Sequence, residues 1–538
     1  MKKTLIAETL RAGLISTLVV FVILELICRV AEVVPVGSSF VENVVYESKL
    51  TFRKPENEFR IFAYGESTFH GAQYGPTSSP IRWMEEYLKD FLPEKKIKVV
   101  NFSRLGSSVN FANHALEETL SYHPDLILFY LGHNAFMPGN RFDQVLERQK
   151  KFSYHVKHFF LESRLVSFVY RKIIRFRMIK DKTLGPQDSM EYSKIETPPD
   201  PKLGPDNKTP STQPYYWKNL EFYEHNLAKI LQKIKDSKVP AIFLKPVGNL
   251  KDFSPNASGH LKTLSPEELK AWQELYDQGR QALSNKQMAS ALSFFEKAYT
   301  IDPTYADLNY QMGTIYLSQG ELTKAKLSFE EARDHDIIIC RANQDLLNLL
   351  EKQLIHYKIP YMDTEKILVS QAPGGILGEP VVEDNVHFSI SGQAAVGRAI
   401  ANEIAKYDWM APSAEWHFDR ERSFQDISKE MGINDELIFS AYLKTIFYFA
   451  NRLDNRLRFA QMALKMKPDN MKALRHTAWA YWLKGDDENA KSYYEKIKII
   501  SPKDFDEIAK DHPEIPQKLF PATSSQEPSK TVASTLRV

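Results

Sequence analysis

Five short apolar segments alternate with amphipathic ones along this chain, and this alternation limits the fold more than any other feature. The apolar segments are rich in β-branched and aromatic residues, as buried strands are; they are residues 59–65, 96–103, 125–132, 239–247 and 357–363. Amphipathic helical patterns lie between or after them, for example at residues 79–92, 215–237 and 391–407. The alternation predicts an α/β fold in which a parallel sheet is covered by helices on both faces.

The length and charge of the chain narrow its class further. The 538 residues exceed one ordinary compact domain and suggest roughly two to four of them. Hydrophobic residues make up 43% of the chain, and the formal net charge is only +2. This composition is typical of a globular protein and does not indicate a nucleic-acid partner.

The amino terminus has the pattern of a membrane-seeking segment. Three basic residues precede an apolar stretch that begins at Ala12. If the stretch is taken to continue past Glu25 and Arg29, it reaches the roughly 20 residues that a membrane span needs. We predict that residues 1–36 are a retained single-pass anchor; the alternative is a cleaved signal peptide. No A-x-A-like cleavage site follows, which favours the anchor. Since the basic flank stays cytoplasmic, we expect a cell-membrane protein whose bulk is extracytoplasmic.

A 34-residue period appears between the fourth and fifth strand segments. The recurring pairs are Gly279 and Gly313, Ala291 and Ala325, Phe295 and Phe329, and Ala298 and Ala332. This spacing is typical of tetratricopeptide repeats, where small residues let paired helices approach and Phe fills the groove between them. We therefore predict inserted tetratricopeptide-like repeats over residues 264–340, with an ordinary pair of helical hairpins as the alternative.

A second helical region follows the last strand and its helix. Pro468 and Pro502 are again 34 residues apart, and Ala490 and Tyr494 occupy positions that such repeats use. The pattern predicts tetratricopeptide-like helices over residues 430–510.

Three further segments have distinctive compositions. Residues 184–214 and 520–538 are polar and contain Pro, so they are predicted to be a loop and a disordered tail. Residues 150–182 are basic, aromatic and helical in period, and could lie on an anionic membrane surface or pack on the α/β domain.

Residues with catalytic potential follow the predicted strands. Ser67 follows the first strand, Gly106 the second and Asn134 the third, while Asp384 and His387 come after the fifth. Functional groups of a parallel α/β sheet collect beyond the carboxyl ends of its strands. A serine hydroxyl needs a nearby base, and that base needs an orienting group. His387 and Asp384 can supply these functions for Ser67.

These residues resemble, in order, the four sequence blocks of the SGNH hydrolase superfamily, the GDSL-type esterases. The G-D-S block reads Gly65-Glu66-Ser67, the second-block glycine is Gly106, G-x-N reads Gly132-His133-Asn134, and D-x-x-H reads Asp384-Asn385-Val386-His387. The repeats, the motif G-H-N-A-F and the stretch at residues 246–260 resemble a membrane-anchored bacterial subgroup. In that subgroup a glutamate often stands where this chain has Ala135.

The resemblance implies a three-layer α/β/α fold over residues 56–250 and 341–408. It implies a Ser67-His387-Asp384 triad, with an oxyanion hole formed by the N–H groups of Ser67 and Gly106 and by Asn134. It also implies an envelope serine esterase or O-acyltransferase that acts on acyl esters, with acetylated polysaccharide as the leading substrate class. No substrate-binding residue, metal or cofactor is indicated by the sequence.

A function of another class is also compatible with the sequence. Tetratricopeptide grooves usually bind peptide segments, so the chain could be a non-catalytic scaffold for an envelope export or polymer-assembly complex. Protein partners are expected through the repeats in either case.

Overall fold

The computed structural model describes residues 2–30, 39–75, 77–137, 216–260, 263–448 and 452–520, and six residues between 163 and 172. The predicted loop at 184–214, most of residues 150–182, and the predicted tail beyond residue 520 lie outside the described residues. The chain divides into two units, residues 1–433 and residues 434–538.

A five-stranded parallel sheet lies at the centre of the first unit, with the strand order β2-β1-β3-β4-β5. The strands are β1 (Glu58–Gly65), β2 (Lys96–Asn101), β3 (Leu126–Tyr130), β4 (Ala241–Leu244) and β5 (Tyr361–Met362). β1 lies between β2 and β3, so Phe62 pairs with Val100 on one side and with Ile127 on the other. Each predicted strand segment overlaps one of these strands, which confirms the parallel α/β prediction.

The α-helices of the first unit that lie wholly within the described residues are, in chain order, α1 (Lys2–Val30), α2 (Ser39–Glu47), α3 (Ser67–His70), α4 (Pro80–Phe91), α5 (Val109–Thr119), α6 (Tyr216–Ser237), α7 (Pro266–Ser284), α8 (Met288–Ile301), α9 (Ala306–Ser318), α10 (Leu322–Asp334), α11 (Gln344–Tyr357), α12 (Thr364–Leu368), α13 (Ile390–Ile404) and α14 (Phe424–Glu430).

Helices cover both faces of the sheet. On one face, Phe62 and Phe129 belong to a buried cluster that includes Leu227 of α6 and Leu346 of α11. Alternation along the strand turns Ile61 and Ala63, both fully buried, toward the other face. There, α4 and α13 approach so closely that a Cβ atom on Gly397 would lie 2.6 Å from the Cβ of Trp83.

Two antiparallel helix pairs lie between β4 and β5 in sequence, α7 with α8 and α9 with α10. A Cβ atom on Gly279 would lie 2.4 Å from the ring of Phe295, and one on Gly313 would lie 2.8 Å from the ring of Phe329. Each recurring glycine is therefore the point at which the phenylalanine of the paired helix packs on the backbone. This is the packing that the 34-residue period predicts.

The second unit is helical throughout its described residues. Its helices are α15 (Asp435–Tyr448), α16 (Leu453–Met466), α17 (Met471–Leu483), α18 (Asp487–Ile500), α19 (Pro502–Asp511) and α20 (Glu514–Leu519). Ala473, Leu474, Ala490 and Tyr494 are buried in one apolar cluster between these helices. The unit therefore has a hydrophobic core of its own.

The amino-terminal helix α1 leaves a long apolar surface exposed. Its exposed large side chains are Ile15, Leu18, Val19, Val20, Phe21, Val22, Ile23, Leu24, Leu26 and Ile27. Within the described part of the chain, no helix meets the combined length and hydropathy that a membrane crossing needs. The predicted anchor over residues 1–36 stays a prediction.

Candidate active site

Ser67 lies at the turn between β1 and α3, at the carboxyl end of β1, which is an interior strand of the sheet. A Cβ atom on Gly65 would lie 2.5 Å from the Cβ of Phe69, so a larger residue would force this strand-to-helix turn open. Glu66 is in an extended conformation, and Ser67 is the first residue of the helix. The turn leaves Ser67 half-buried, with its hydroxyl directed to the loop that precedes α13.

His387 and Asp384 lie on that loop and complete a hydrogen-bonded series with Ser67. The distance from Ser67 Oγ to His387 Nε2 is 2.7 Å, and the distance from His387 Nδ1 to Asp384 Oδ2 is 2.6 Å. An ionised carboxylate only accepts hydrogen bonds, so His387 Nδ1 carries a proton and Nε2 accepts from the serine hydroxyl. The structure therefore brings Ser67 together with two predicted residues that follow it by more than 300 positions in sequence.

The carboxylate of Asp384 is buried and accepts four hydrogen bonds. Oδ1 accepts from the backbone N–H groups of Val386 and His387, at 2.9 and 2.7 Å. Oδ2 accepts from His387 Nδ1 and from Gln73 Nε2, the latter at 2.8 Å. Burial alone would raise the pKa of Asp384, but the His387 ring and these hydrogen bonds hold the pKa below its ordinary value. Asp384 is therefore an anion at neutral pH.

Glu66 organises the turn that follows β3. Its carboxylate accepts the backbone N–H of Gly132 at 3.0 Å and that of Asn134 at 3.2 Å. Burial raises the pKa of Glu66 to about 8, although the N–H groups of Gly132, Asn134 and His133 act in the opposite direction. Glu66 thus connects the turn that carries Ser67 to the turn that carries Asn134.

Gly106 and Asn134 lie on the loops after β2 and β3. The side-chain Nδ2 of Asn134 donates to the carbonyl of Ser107 at 2.8 Å, and the Ser107 hydroxyl donates to the carbonyl of Gly65 at 3.1 Å. Gly106 has φ +62°, and a Cβ atom there would meet nothing within 4 Å. The left-handed backbone conformation, and not a lack of space, therefore explains why this position is a glycine. Ser107, the neighbour of Gly106, thus connects Asn134 to Gly65, which lies two residues before Ser67.

His133, within the third motif block, is buried and joins two segments of the chain. It is 2% exposed, its Nδ1 accepts the N–H of Ala342 at 3.2 Å, and its Nε2 lies 3.2 Å from the hydroxyl of Tyr130. Burial, assisted by the nearby His387, lowers the pKa of His133 to about 3, so its ring is neutral. His133 thus connects the loop after β3 to the start of the segment that follows the repeats.

Ala135, where the resembling subgroup often has a glutamate, is buried among apolar side chains. It contributes no polar group to the site.

Several residues support the site although the sequence analysis assigns them no part in it. Besides Gln73, Tyr74 donates its hydroxyl to Glu383 at 2.5 Å, and Thr68 donates to the carbonyl of Val386 at 3.2 Å. Asn249, on the loop after β4, is fully buried and donates its side-chain Nδ2 to the carbonyl of Val382 at 3.0 Å. These contacts join segments that are distant in sequence. Asn249 lies in the stretch 246–260 that resembles the membrane-anchored subgroup, but that motif does not indicate its contact with Val382.

Some solved structures resemble the fold at low sequence identity. They include a GDSL-like lipase from Bacteroides thetaiotaomicron, with 10% identity, a TM-score of 0.31, and 68% of this chain and 98% of that chain covered. A lipase/acylhydrolase from Enterococcus faecalis has 11% identity, a TM-score of 0.29 and coverages of 68% and 100%. An acetylxylan esterase from Geobacillus stearothermophilus has 12% identity, a TM-score of 0.28 and coverages of 66% and 97%. No curated protein matches the chain.

Two family models described as tetratricopeptide repeat match the helical regions. One matches residues 282–336, within α7 to α10 and the turn that follows, and the other matches residues 477–504, within α17 to α19. The chain therefore carries tetratricopeptide repeats in two separate places, between β4 and β5 and in its carboxy-terminal unit.

Proposed function

We propose that this protein is an SGNH-type serine hydrolase of ester bonds, or a related acyltransferase. The observation that carries the proposal is the hydrogen-bonded series from Ser67 through His387 to Asp384, with distances of 2.7 and 2.6 Å. A serine hydroxyl that donates to a histidine oriented by a buried carboxylate is the arrangement that activates serine for attack on a carbonyl.

In the proposed mechanism, His387 Nε2 takes the proton from Ser67 as Oγ attacks the ester carbonyl carbon. The N–H groups of Ser67 and Gly106 and the Asn134 carboxamide stabilise the tetrahedral oxyanion. The Asn134 carboxamide is oriented by its hydrogen bond to the carbonyl of Ser107. The imidazolium, stabilised by Asp384, then protonates the leaving alcohol, and an acyl-enzyme remains. Water completes hydrolysis, whereas a sugar hydroxyl completes acyl transfer.

The substrate class in this proposal is an acyl ester, with acetylated polysaccharide as the first candidate. The support for a glycan substrate is the sequence resemblance to membrane-anchored envelope proteins. Purified protein that begins at Ser39 should hydrolyse a short-chain acyl ester and react with a fluorophosphonate.

The decisive variant is Ser67→Ala, which should abolish both reactions. Ser318→Ala, which removes a hydroxyl that donates to the carbonyl of Ile315 in α9, is the matched control and should react like the parent protein. An unchanged rate in Ser67→Ala would show that Ser67 is not the nucleophile.

The proposal places the protein at the cell membrane, with the α/β domain on the extracytoplasmic side. The support is the basic amino terminus followed by the exposed apolar side chains of α1. Full-length protein should float with liposomes in a density gradient, and protein that begins at Ser39 should not. Equal flotation of the two proteins would exclude α1 as the anchor.

The second candidate function is a scaffold, and the repeats in both units favour it. A scaffold without an activated serine should not react with a fluorophosphonate. Labelling at Ser67 therefore separates the two functions, while partners that bind the repeats are compatible with either.

A further inference from the structure

The inserted repeats pack against a segment of their own chain. The segment, residues 249–260, follows β4 and has no helix or strand. The hydroxyl of Tyr310, on α9, donates to the carbonyl of Lys251 at 2.7 Å, and the backbone N–H of Asp307 donates to the hydroxyl of Ser258 at 2.9 Å. The first helix of the second repeat thus binds this segment through both side chain and backbone.

Further contacts strengthen this attachment at both ends of the segment. Leu250 is buried in a cluster with Phe329 and Ile376, against which Tyr310 also packs. At the other end, His260 lies 2.6 Å from Asp302, between Nδ1 and Oδ2, and its ring centroid is 4.5 Å from that of Trp272. Tetratricopeptide repeats usually bind extended peptides, and here residues 249–260 are in contact with both repeats.

The same segment holds the loop that carries Asp384 and His387. Asn249 donates its backbone N–H to the carbonyl of Asn385 at 2.9 Å and its side chain to the carbonyl of Val382. The backbone N–H of Leu250 donates to the carbonyl of Leu377 at 2.9 Å. Residues 249 and 250 therefore contact the repeats on one side and the loop of the triad on the other.

We propose that the inserted repeats position the Asp384–His387 loop through residues 249–252, with Tyr310 as a positioning residue. The inference rests on the proposed function, because it assigns the repeats a part in that reaction. A segment without regular structure takes its geometry from the groups that satisfy its backbone. Loss of the bond to Lys251 loosens Leu250 and Asn249, and with them the carbonyls of Asn385 and Val382 that flank Asp384.

The test is Tyr310→Phe, which removes the hydroxyl and keeps the ring. Labelling of Ser67 by a fluorophosphonate reports the activation of the serine directly, without any assumption about the natural ester. The second-order labelling rate constant should fall about twofold to tenfold, the range set by one neutral hydrogen bond. With a short-chain ester, kcat should fall and KM should not change.

Tyr299→Phe is the matched control. It also removes a half-buried hydroxyl from the repeats, one that bonds to Glu331 at 3.2 Å and makes no hydrogen bond to residues 249–252. Its labelling rate should equal that of the parent protein. Equal rates in the two tyrosine variants, whether lowered or unchanged, would overturn the inference.

Leu250→Val repeats the test without removing a polar group. It trims the contact with Phe329. Leu275→Val, at a half-buried leucine that packs against the core of the first repeat, is its control. The labelling rate should fall in Leu250→Val and stay at the parent value in Leu275→Val. If Tyr310→Phe does not fold, the comparison of these two leucine variants tests the inference instead. No labelling of the parent protein at Ser67 would instead refute the proposed function, so the two failures are distinguishable.

Discussion

At the scale of single residues, the site depends on carboxylates in contrasting environments. Asp384 accepts four hydrogen bonds and has a lowered pKa, whereas burial dominates at Glu66 and raises its pKa. The first arrangement keeps an anion beside His387. The second leaves a group within the same site that can change its proton content near neutral pH.

Replacing Asp384 tests the orientation of His387. In Asp384→Asn the side chain can present its N–H₂ group to His387 Nδ1, and the ring then loses the tautomer that accepts from Ser67. We expect kcat for ester hydrolysis to fall by about 10³–10⁴-fold, the effect of the equivalent change in serine proteases. Glu383→Gln, at the neighbouring acid that binds Tyr74, should retain most of the rate. Similar losses in both variants would contradict the assignment.

Glu66 predicts a specific dependence of stability on pH. Its folded-state pKa of about 8 exceeds the ordinary value of 4.5, so its proton stabilises the fold fully below about pH 4.5. This contribution decreases as the pH rises toward 8. The measurement is the free energy of unfolding in urea, for the parent protein and for Glu66→Gln. The stability advantage of the parent over the variant should shrink by on the order of 3–5 kcal/mol between pH 4.5 and pH 8. A difference that does not change with pH would show that Glu66 is ionised throughout.

Two glycine variants can separate the effect of the left-handed backbone at Gly106 from the effect of its position in the site. Gly106→Ala places a side chain at φ +62°, and Gly432→Ala does the same at φ +73°; neither new Cβ atom meets a neighbour within 4 Å. Both variants should lose about 1 kcal/mol of unfolding free energy. Only Gly106→Ala should also lower kcat, because its N–H is assigned to the oxyanion. Equal kcat in the two variants would remove Gly106 from that assignment.

At the scale of secondary structure, the strands and repeats could be predicted because their signals are local. Apolar runs mark buried strands, and the glycine–phenylalanine pairs mark helix contacts within one repeat. The bonds of Gln73 and Asn249 to the triad loop could not be predicted, since they join residues 311 and 133 positions apart. Polar side chains on such loops have no periodicity, and their partners depend on the folded geometry.

The packing of each repeat predicts the effect of Gly279→Ala. The added Cβ atom would lie 2.4 Å from Phe295, so α7 and α8 would have to separate. We expect a loss of about 1–3 kcal/mol in the unfolding free energy. The double variant Gly279→Ala/Phe295→Leu should recover part of this loss in a thermal unfolding experiment. Strict additivity of the two changes would contradict a direct contact.

At the scale of the whole molecule, the described contacts of the site belong to the first unit. Ser67, Asp384, His387 and Gln73 all precede residue 434, where the second unit begins. A chain that ends at Ile433 should therefore react with a fluorophosphonate at the same rate as the full chain. A lower rate in a folded truncated protein would show that the second unit contributes to the site.

The order of the triad along the chain has a consequence for biosynthesis. His387 follows Ser67 by 320 positions, with both inserted repeats between them. At about 5–20 residues per second, a ribosome needs roughly 15–60 s to pass from one to the other. Under the proposed function, a nascent chain therefore carries Ser67 without its base for more than half of its synthesis, and the proposed nucleophile acquires its partner only after the repeats have been made.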